Sequence, residues 1–282
     1  MSTQLILQGA NLDYSALEQI RQHLQLDQAI ANSNTHRFSL PAPLSPDAIH
    51  TLRQQFEFDI NQLPADFDPK EIRLLLTDMD STLISIECID EIADFLAIKP
   101  QVAEITESAM RGEIDFETSL NRRIALLKGL DAGALQHVYD ERLQLNPGAE
   151  ILLNGLNNCA IKTALVSGGF TFFTDRLKRR LNLDFTLANE LAFDTNGKLL
   201  GLDNKVIVGA QRKADYLKEL CTELNIQPHQ VIAMGDGAND LLMMEQAGLS
   251  VAYHAKPAVQ QQAMTALNYC GLDGVLGLLG VD

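Results

Sequence analysis

Cysteine is scarce in this chain and widely spaced. Four cysteines, at 88, 159, 221 and 270, serve 282 residues, with no Cys-x-x-Cys pair and no histidine at ligand spacing. That pattern excludes a zinc-ribbon type of site and leaves reduced thiols, as in a cytosolic protein, as the expectation. Basic residues are outnumbered, 22 against 37 acidic, for a formal charge of -15. A nucleic-acid partner, which would want a basic face, is not expected. No apolar run approaches a membrane span, and the first basic residue is Arg21, so neither a membrane partner nor a signal peptide is expected. The reading is a soluble, cytoplasmic protein. Several motifs are absent too. There is no G-x-x-x-x-G-K-[ST] phosphate loop. Residue 165 is Leu, so Ser167 does not sit in G-x-S-x-G. Counted from Asp236, the third and twelfth positions are Ala238 and Ala247, which rules out an EF-hand loop.

What is present is ordinary globular material, 46% hydrophobic and 21% charged, long enough for two domains or one large one. The chain is organised around Leu74-Leu75-Leu76-Thr77-Asp78-Met79-Asp80-Ser81-Thr82-Leu83. The apolar run reads as a buried strand of a parallel sheet. Two aspartates would not be accepted inside such a core unless paired or bound to a cation. The strand is therefore expected to end near Thr77, leaving Asp78 and Asp80 in the crevice beyond the carboxyl ends of the strands.

Residues 1–62 read as a small βαββαβ unit, the order of a ferredoxin-like fold. Its strands are expected at Leu5-Ile6-Leu7, Gln28–Ala31, Thr35–Leu40 and Phe58–Asn61, with Asn32-Ser33-Asn34 as a turn and Ser45-Pro46 opening a helix through Phe56. The unit resembles ACT-type regulatory domains, which can bind amino acids; a structural or dimerising appendage fits the order equally, and a homodimer is a possible assembly. Residues 63–70, with two prolines and three charges, suit an exposed linker. Residues 87–146 have helical periodicity, in stripes such as Ile89-Ile92-Ala93-Leu96 and Phe116-Leu120-Ile124-Leu127, and read as a helical cap over the crevice. Residues 71–86 and 147–282 alternate strand and helix, implying a doubly wound, mostly parallel sheet. Within them, 185–193 and 198–202 look like a hairpin, and 249–253 like a final strand before a helical tail.

Four polar clusters mark this region: Asp78-Met79-Asp80-Ser81-Thr82, Ser167-Gly168-Gly169, Lys213, and Gly235-Asp236-Gly237-Ala238-Asn239-Asp240. Gathered carboxylates suggest a hard cation with few protein ligands, which is Mg²⁺ behaviour. Ser167-Gly168-Gly169 offers a hydroxyl and close N–H groups to an anion, and Lys213 a point charge. Anion plus Mg²⁺ implies phosphoryl chemistry. Read alone, Glu87 also fits a solvated helix start, Arg123 a surface charge, and Lys213 an exposed lysine.

In their order and spacing these clusters resemble the haloacid-dehalogenase superfamily of phosphohydrolases, from residue 72 to about 260. Glu87, Met110-Arg111-Gly112 through Phe116, and Ser119–Arg123 resemble the cap of its phosphoserine phosphatases. The resemblance implies a Mg²⁺-dependent phosphomonoesterase acting on a small molecule, phosphoserine. Asp78 would be the nucleophile and Asp80 the acid and base. Asp78, Asp236 and the backbone carbonyl of Asp80 would hold the metal, with Asp240 ordering its surroundings. Ser167, Gly168, Lys213 and Asn239 would hold phosphate or substrate. Glu87 would meet an ammonium group and Arg123 a carboxylate, while Met110 and Phe116 close the site. The role of Arg122 stays open. The alternatives are another small phosphomonoester, such as homoserine phosphate, or an amino-acid sensor with a vestigial core.

Overall fold

The computed structural model describes residues 3–27, 30–32, 35–111, 113–203 and 206–281, with only the backbone of Asn32 and Met110. The chain begins with β1 (Gln4–Gln8), α1 (Tyr14–His23), β2 (Ile30–Asn32), β3 (Thr35–Ser39), α2 (Pro46–Gln55) and β4 (Asp59–Gln62). The expected βαββαβ order is present, as an antiparallel sheet ordered β2-β3-β1-β4. Gln28, Ala29, Ser33 and Asn34, part of the expected strand and turn, lie outside the described residues. Ser45 caps α2 by accepting from Ala48 N at 3.2 Å, with Pro46 as the first helical residue. Alternation along β1 divides its side chains: Leu5 and Leu7 pack with Ile20 and Leu52 of the two helices. Ile6 points the other way, into the main core.

The rest of the chain starts with β5 (Leu74–Thr77) and then the helices α3 (Cys88–Phe95), α4 (Lys99–Met110), α5 (Phe116–Leu126) and α6 (Gly133–Glu141). It continues with α7 (Ala149–Asn158), β6 (Lys162–Phe170), α8 (Thr171–Leu181), β7 (Phe185–Asn189), β8 (Leu191–Phe193) and β9 (Leu199–Leu202). It closes with α9 (Ala210–Leu224), β10 (Val231–Gly235), α10 (Leu241–Gln246), β11 (Leu249–Tyr253), α11 (Pro257–Gln260), β12 (Thr265–Leu267) and α12 (Gly274–Leu279). Six strands form one all-parallel sheet, ordered β12-β11-β10-β5-β6-β7. The chain winds outward from β5 to β7 and returns on the other side of β5 through β10, so the order reverses beside β5. Every residue of β5 is buried; Leu75 faces one apolar cluster, Leu74 and Leu76 the other. That two-sided burial is why the strand carries an unbroken apolar run. Among the described residues no helix is long and apolar enough to cross a membrane.

Four expectations need correction. Residues 185–193 are not one arm of a hairpin: β7 joins the parallel sheet beside β6, and only β8 pairs with β9. The tail is not all helical, because β12 adds an edge strand beside β11. The stretch 63–70 is not uniformly exposed, since Leu63 and Phe67 are buried in the main core with Ile6. Leu96 of the first cap stripe is exposed.

The N-terminal sheet is tied to the last part of the chain by polar groups. Asn61 donates from Nδ2 to Ala266 O at 2.9 Å and accepts from Ala266 N at 2.8 Å. Its carboxamide thus does for edge strand β12 what a neighbouring strand's peptide would do. Asp59 accepts from the N–H groups of Asn268, Tyr269 and Cys270. Gln8 donates to Gly274 O at 3.1 Å, and Arg37 donates to the carbonyls of Gly277 and Leu278.

Candidate active site

Asp78 follows β5 directly, and its N–H donates to Met234 O at 2.9 Å, so β10 carries the ladder one residue past the strand. The chain then turns sharply, with Ser81 at φ +56, an uncommon conformation for a residue with a Cβ. Asp80 Oδ1 accepts from Cys88 N at 2.9 Å, and Oδ2 accepts from Ser167 Oγ at 3.4 Å. Ser81 Oγ donates to Glu87 at 2.7 Å, which sets the carboxylate that begins the cap.

From the other side of β5, the loop after β10 brings Asp236 and Asp240. Carboxylate oxygens of Asp78, Asp236 and Asp240 lie within 4.8 Å of one another. Lys213, fully buried near the start of α9, donates to Asp78 at 2.6 Å and to Asp240 at 2.7 Å. Thr82 donates to Asp236 at 3.1 Å. Burial raises Asp78 against the pull of Lys213, with the charge of Asp240 adding to the rise. Burial alone would lower Lys213, but Asp240 and Asp78 outweigh it and hold the ammonium protonated. Burial, helped by Asp240, pushes Asp236 up to about 6. One lysine facing three acids leaves negative charge uncompensated, and the donors are hard oxygens. This set fits a divalent cation. The side chain of Asp80 lies outside the trio, so only its backbone carbonyl remains for that role.

A cavity of about 730 Å³ opens over these groups. Asp78, Asp80, Gly168, Asp236 and Asn239 line it from the sheet, and Glu87, Asp90, Phe116 and Arg123 from the cap. Ser167 and Lys213 do not line it; both are fully buried behind its wall. Burial and the charge of Asp80 push Glu87 up to about 8, while burial lowers Arg123 against the opposing charges of Asp90 and Glu87. Burial also raises Asp80, which suits it to holding a proton. Phe116 rests against two glycines: a Cβ built at Gly168 or Gly209 would lie 2.8 or 3.2 Å from its ring. Arg122 is exposed on α5, away from the cavity. The Met110 side chain lies outside the described residues.

Two further positioning residues, Asn189 and Asn146, belong to no sequence motif. Asn189 is fully buried; it donates to Gly168 O and accepts from Val208 N, both at 2.9 Å, tying the glycine turn to the segment leading into α9. Asn146 donates to Thr82 O at 2.7 Å and Ile84 O at 3.1 Å, where the two crossings between sheet and cap run side by side. A lone Asn gives no signal in sequence, because its partners are set by tertiary structure.

The arrangement can therefore present a carboxylate, and a nearby acid whose hold on a proton burial strengthens, to an anion in a partly open cavity. Comparison with known proteins agrees. A model of the haloacid dehalogenase-like hydrolases matches residues 72–248. A phosphoserine phosphatase of Polaromonas sp. is 51% identical over 225 residues, covering 78% of this chain and 95% of its own. One from Haemophilus influenzae is 44% identical over 283 residues, covering 98% of this chain and 88% of its own. The crystal structure of a HAD family hydrolase from Salmonella enterica serovar Typhi superposes with a TM-score of 0.90 at 34% identity, over 99% of each chain. Since the family match takes in both acidic loops and the whole cap between the strands that carry them, this chain belongs to the haloacid dehalogenase-like hydrolases.

Proposed function

We propose that the chain hydrolyses O-phospho-L-serine to L-serine and phosphate, as the last step of serine biosynthesis in the cytoplasm. The observation that carries this reading is a single cavity holding Asp78, Asp80 and Asp236 on its floor and Glu87 and Arg123 in its cap. The names of the relatives that match over most of their length support the same substrate.

Asp78 attacks phosphorus, forming an aspartyl-phosphate as the ester P–O bond breaks. Asp80 gives its proton to the departing serine oxygen and takes one from the water that later attacks the phosphoenzyme. Gly168 N–H holds a phosphate oxygen where charge spreads in the transition state, while Lys213 and Ser167 act from behind the wall, through their hydrogen bonds to Asp78 and Asp80. Asn239 binds phosphate or substrate at the rim. Asp78, Asp236 and the Asp80 carbonyl would hold Mg²⁺, whose positive charge would offset the repulsion between carboxylate and phosphate. Asp240 stays with Lys213 and orients that shell. Glu87 pairs with the substrate ammonium and Arg123 with its carboxylate, as a bidentate fork. Phe116 excludes water.

Steady-state assays on phosphoserine and sugar phosphates, with and without Mg²⁺, test the reading. Strong preference for phosphoserine and its loss on chelation are expected. Asp78→Asn should abolish turnover while circular dichroism and melting stay native. Equal turnover of sugar phosphates removes the amino-acid reading, and an active Asp78→Asn removes the nucleophile.

A further inference from the structure

Within the cap, two polar atoms are buried and lack a partner on the same helix: Ser119 Oγ and Arg123 Nε of α5. Both residues line the cavity. They are four residues apart, so they occupy one face of the helix, one turn from each other. Ser119 is 1% exposed and its neighbour Leu120 is 2% exposed, so bulk water does not serve the hydroxyl. A helical serine commonly satisfies itself by donating to the carbonyl four residues back, as Thr106 does to Val102 on α4 at 3.1 Å. Ser119 does not. A buried hydroxyl without a partner is a standing cost, and native proteins keep few of them without a reason.

We infer that Ser119 is a substrate-binding residue, its hydroxyl donating to one carboxylate oxygen of the substrate while Arg123 holds the other. This rests on the proposed reading of the site as one for a phosphorylated amino acid and adds the partner that Arg123 works with. A carboxylate, rather than the ammonium, is the group assigned because both orphan atoms sit on the helix that carries Arg123. The acid proposed to face the ammonium, Glu87, comes instead from the start of the cap. A hydroxyl donating to an anion makes a stronger bond than one between neutral groups, so its loss is measurable.

The test is Ser119→Ala, assayed on phosphoserine and on p-nitrophenyl phosphate, which has no carboxylate, with a melting curve of the ligand-free protein. The ratio of the KM for phosphoserine to that for the aryl phosphate should rise about tenfold. Melting should be no lower than in the wild type, because the hydroxyl has no protein partner to lose. An unchanged ratio in an enzyme that hydrolyses phosphoserine overturns the subsite alone. So does a lowered melting temperature with an unchanged ratio, which assigns the hydroxyl to structure. A wild-type chain that turns over the aryl phosphate but not phosphoserine removes the substrate reading, and the subsite with it.

Discussion

At the scale of single residues, burial separates the ion pairs that matter from those that do not. Lys213 and Asp240 are fully enclosed and Asp78 nearly so, at 0%, 0% and 8% side-chain exposure. Lys162 and Asp184 approach as closely, at 2.7 Å, but remain 53% and 28% exposed. Removing the cation from the first group strands two carboxylates in the interior, a loss of about 3–5 kcal/mol. An exposed pair is worth about 0–1 kcal/mol. Urea denaturation in metal-free buffer should therefore show Lys213→Met far less stable than wild type and Lys162→Met nearly unchanged; similar midpoints for both would contradict the buried triad. The acids of this site were legible because carboxylates at the end of an apolar run conflict with burial unless something offsets them. Lys213 was legible only as one lysine near a helix start. Its enclosure between two aspartates joins residues 135 and 27 positions apart, which no local pattern records. Asn189 and Asn146 were invisible for the same reason.

At the scale of elements, segments with a distinct apolar pattern could be read and those too short for one could not. The cap helices announce themselves through repeated apolar spacing, and β5, though only four residues, through an unbroken apolar run before paired aspartates. β12 has three residues, too few for any period, and depends on its register with β11 and on Asn61. The run 185–193 reads as continuous because both β7 and β8 carry apolar residues; the polar pair Asn189-Glu190 at the change of sheet is too short a break to separate two strands in sequence. Between α10 and β11 the packing leaves room for nothing larger than glycine. A Cβ at Gly248 would fall 2.0 Å from the carbonyl oxygen of His229, and the Gly248 N–H already donates to Pro228 O at 3.0 Å. The obstacle is backbone, which cannot step aside as a side chain can. Gly248→Ala should cost about 1–3 kcal/mol. Thermal unfolding of the purified variant checks this, and an unshifted melting temperature would show that the crossover relaxes freely.

At the scale of the whole molecule, the N-terminal sheet is held as part of the main body rather than hung from it. Asp59 is central to that contact. Burial raises its carboxyl above the ordinary 3.8, against the lowering effect of the Asn268, Cys270 and Tyr269 N–H groups. The folded form thus keeps this proton more tightly than the unfolded chain does. Its contribution to stability is fully present below 3.8 and is lost as pH rises through the raised folded value. Arg53, Tyr253 and Cys270, each of which interacts with the charge of Asp59, are ionisable neighbours. Urea titrations of wild type and Asp59→Asn across this range should show wild type losing ground to the variant as pH increases; a constant difference would show that Asp59 titrates alike in both states. The βαββαβ order was readable in the sequence, whereas this attachment was not, because Asn61 and Ala266 stand 205 residues apart. That separation also has a temporal side. At roughly 5–20 residues per second, a ribosome needs on the order of 10–40 s to add the stretch between them. Through that interval the nascent sheet shows Ile6, Asp59 and Asn61 to water and to chaperones, and a message broken before codon 266 would leave that face without its counterpart.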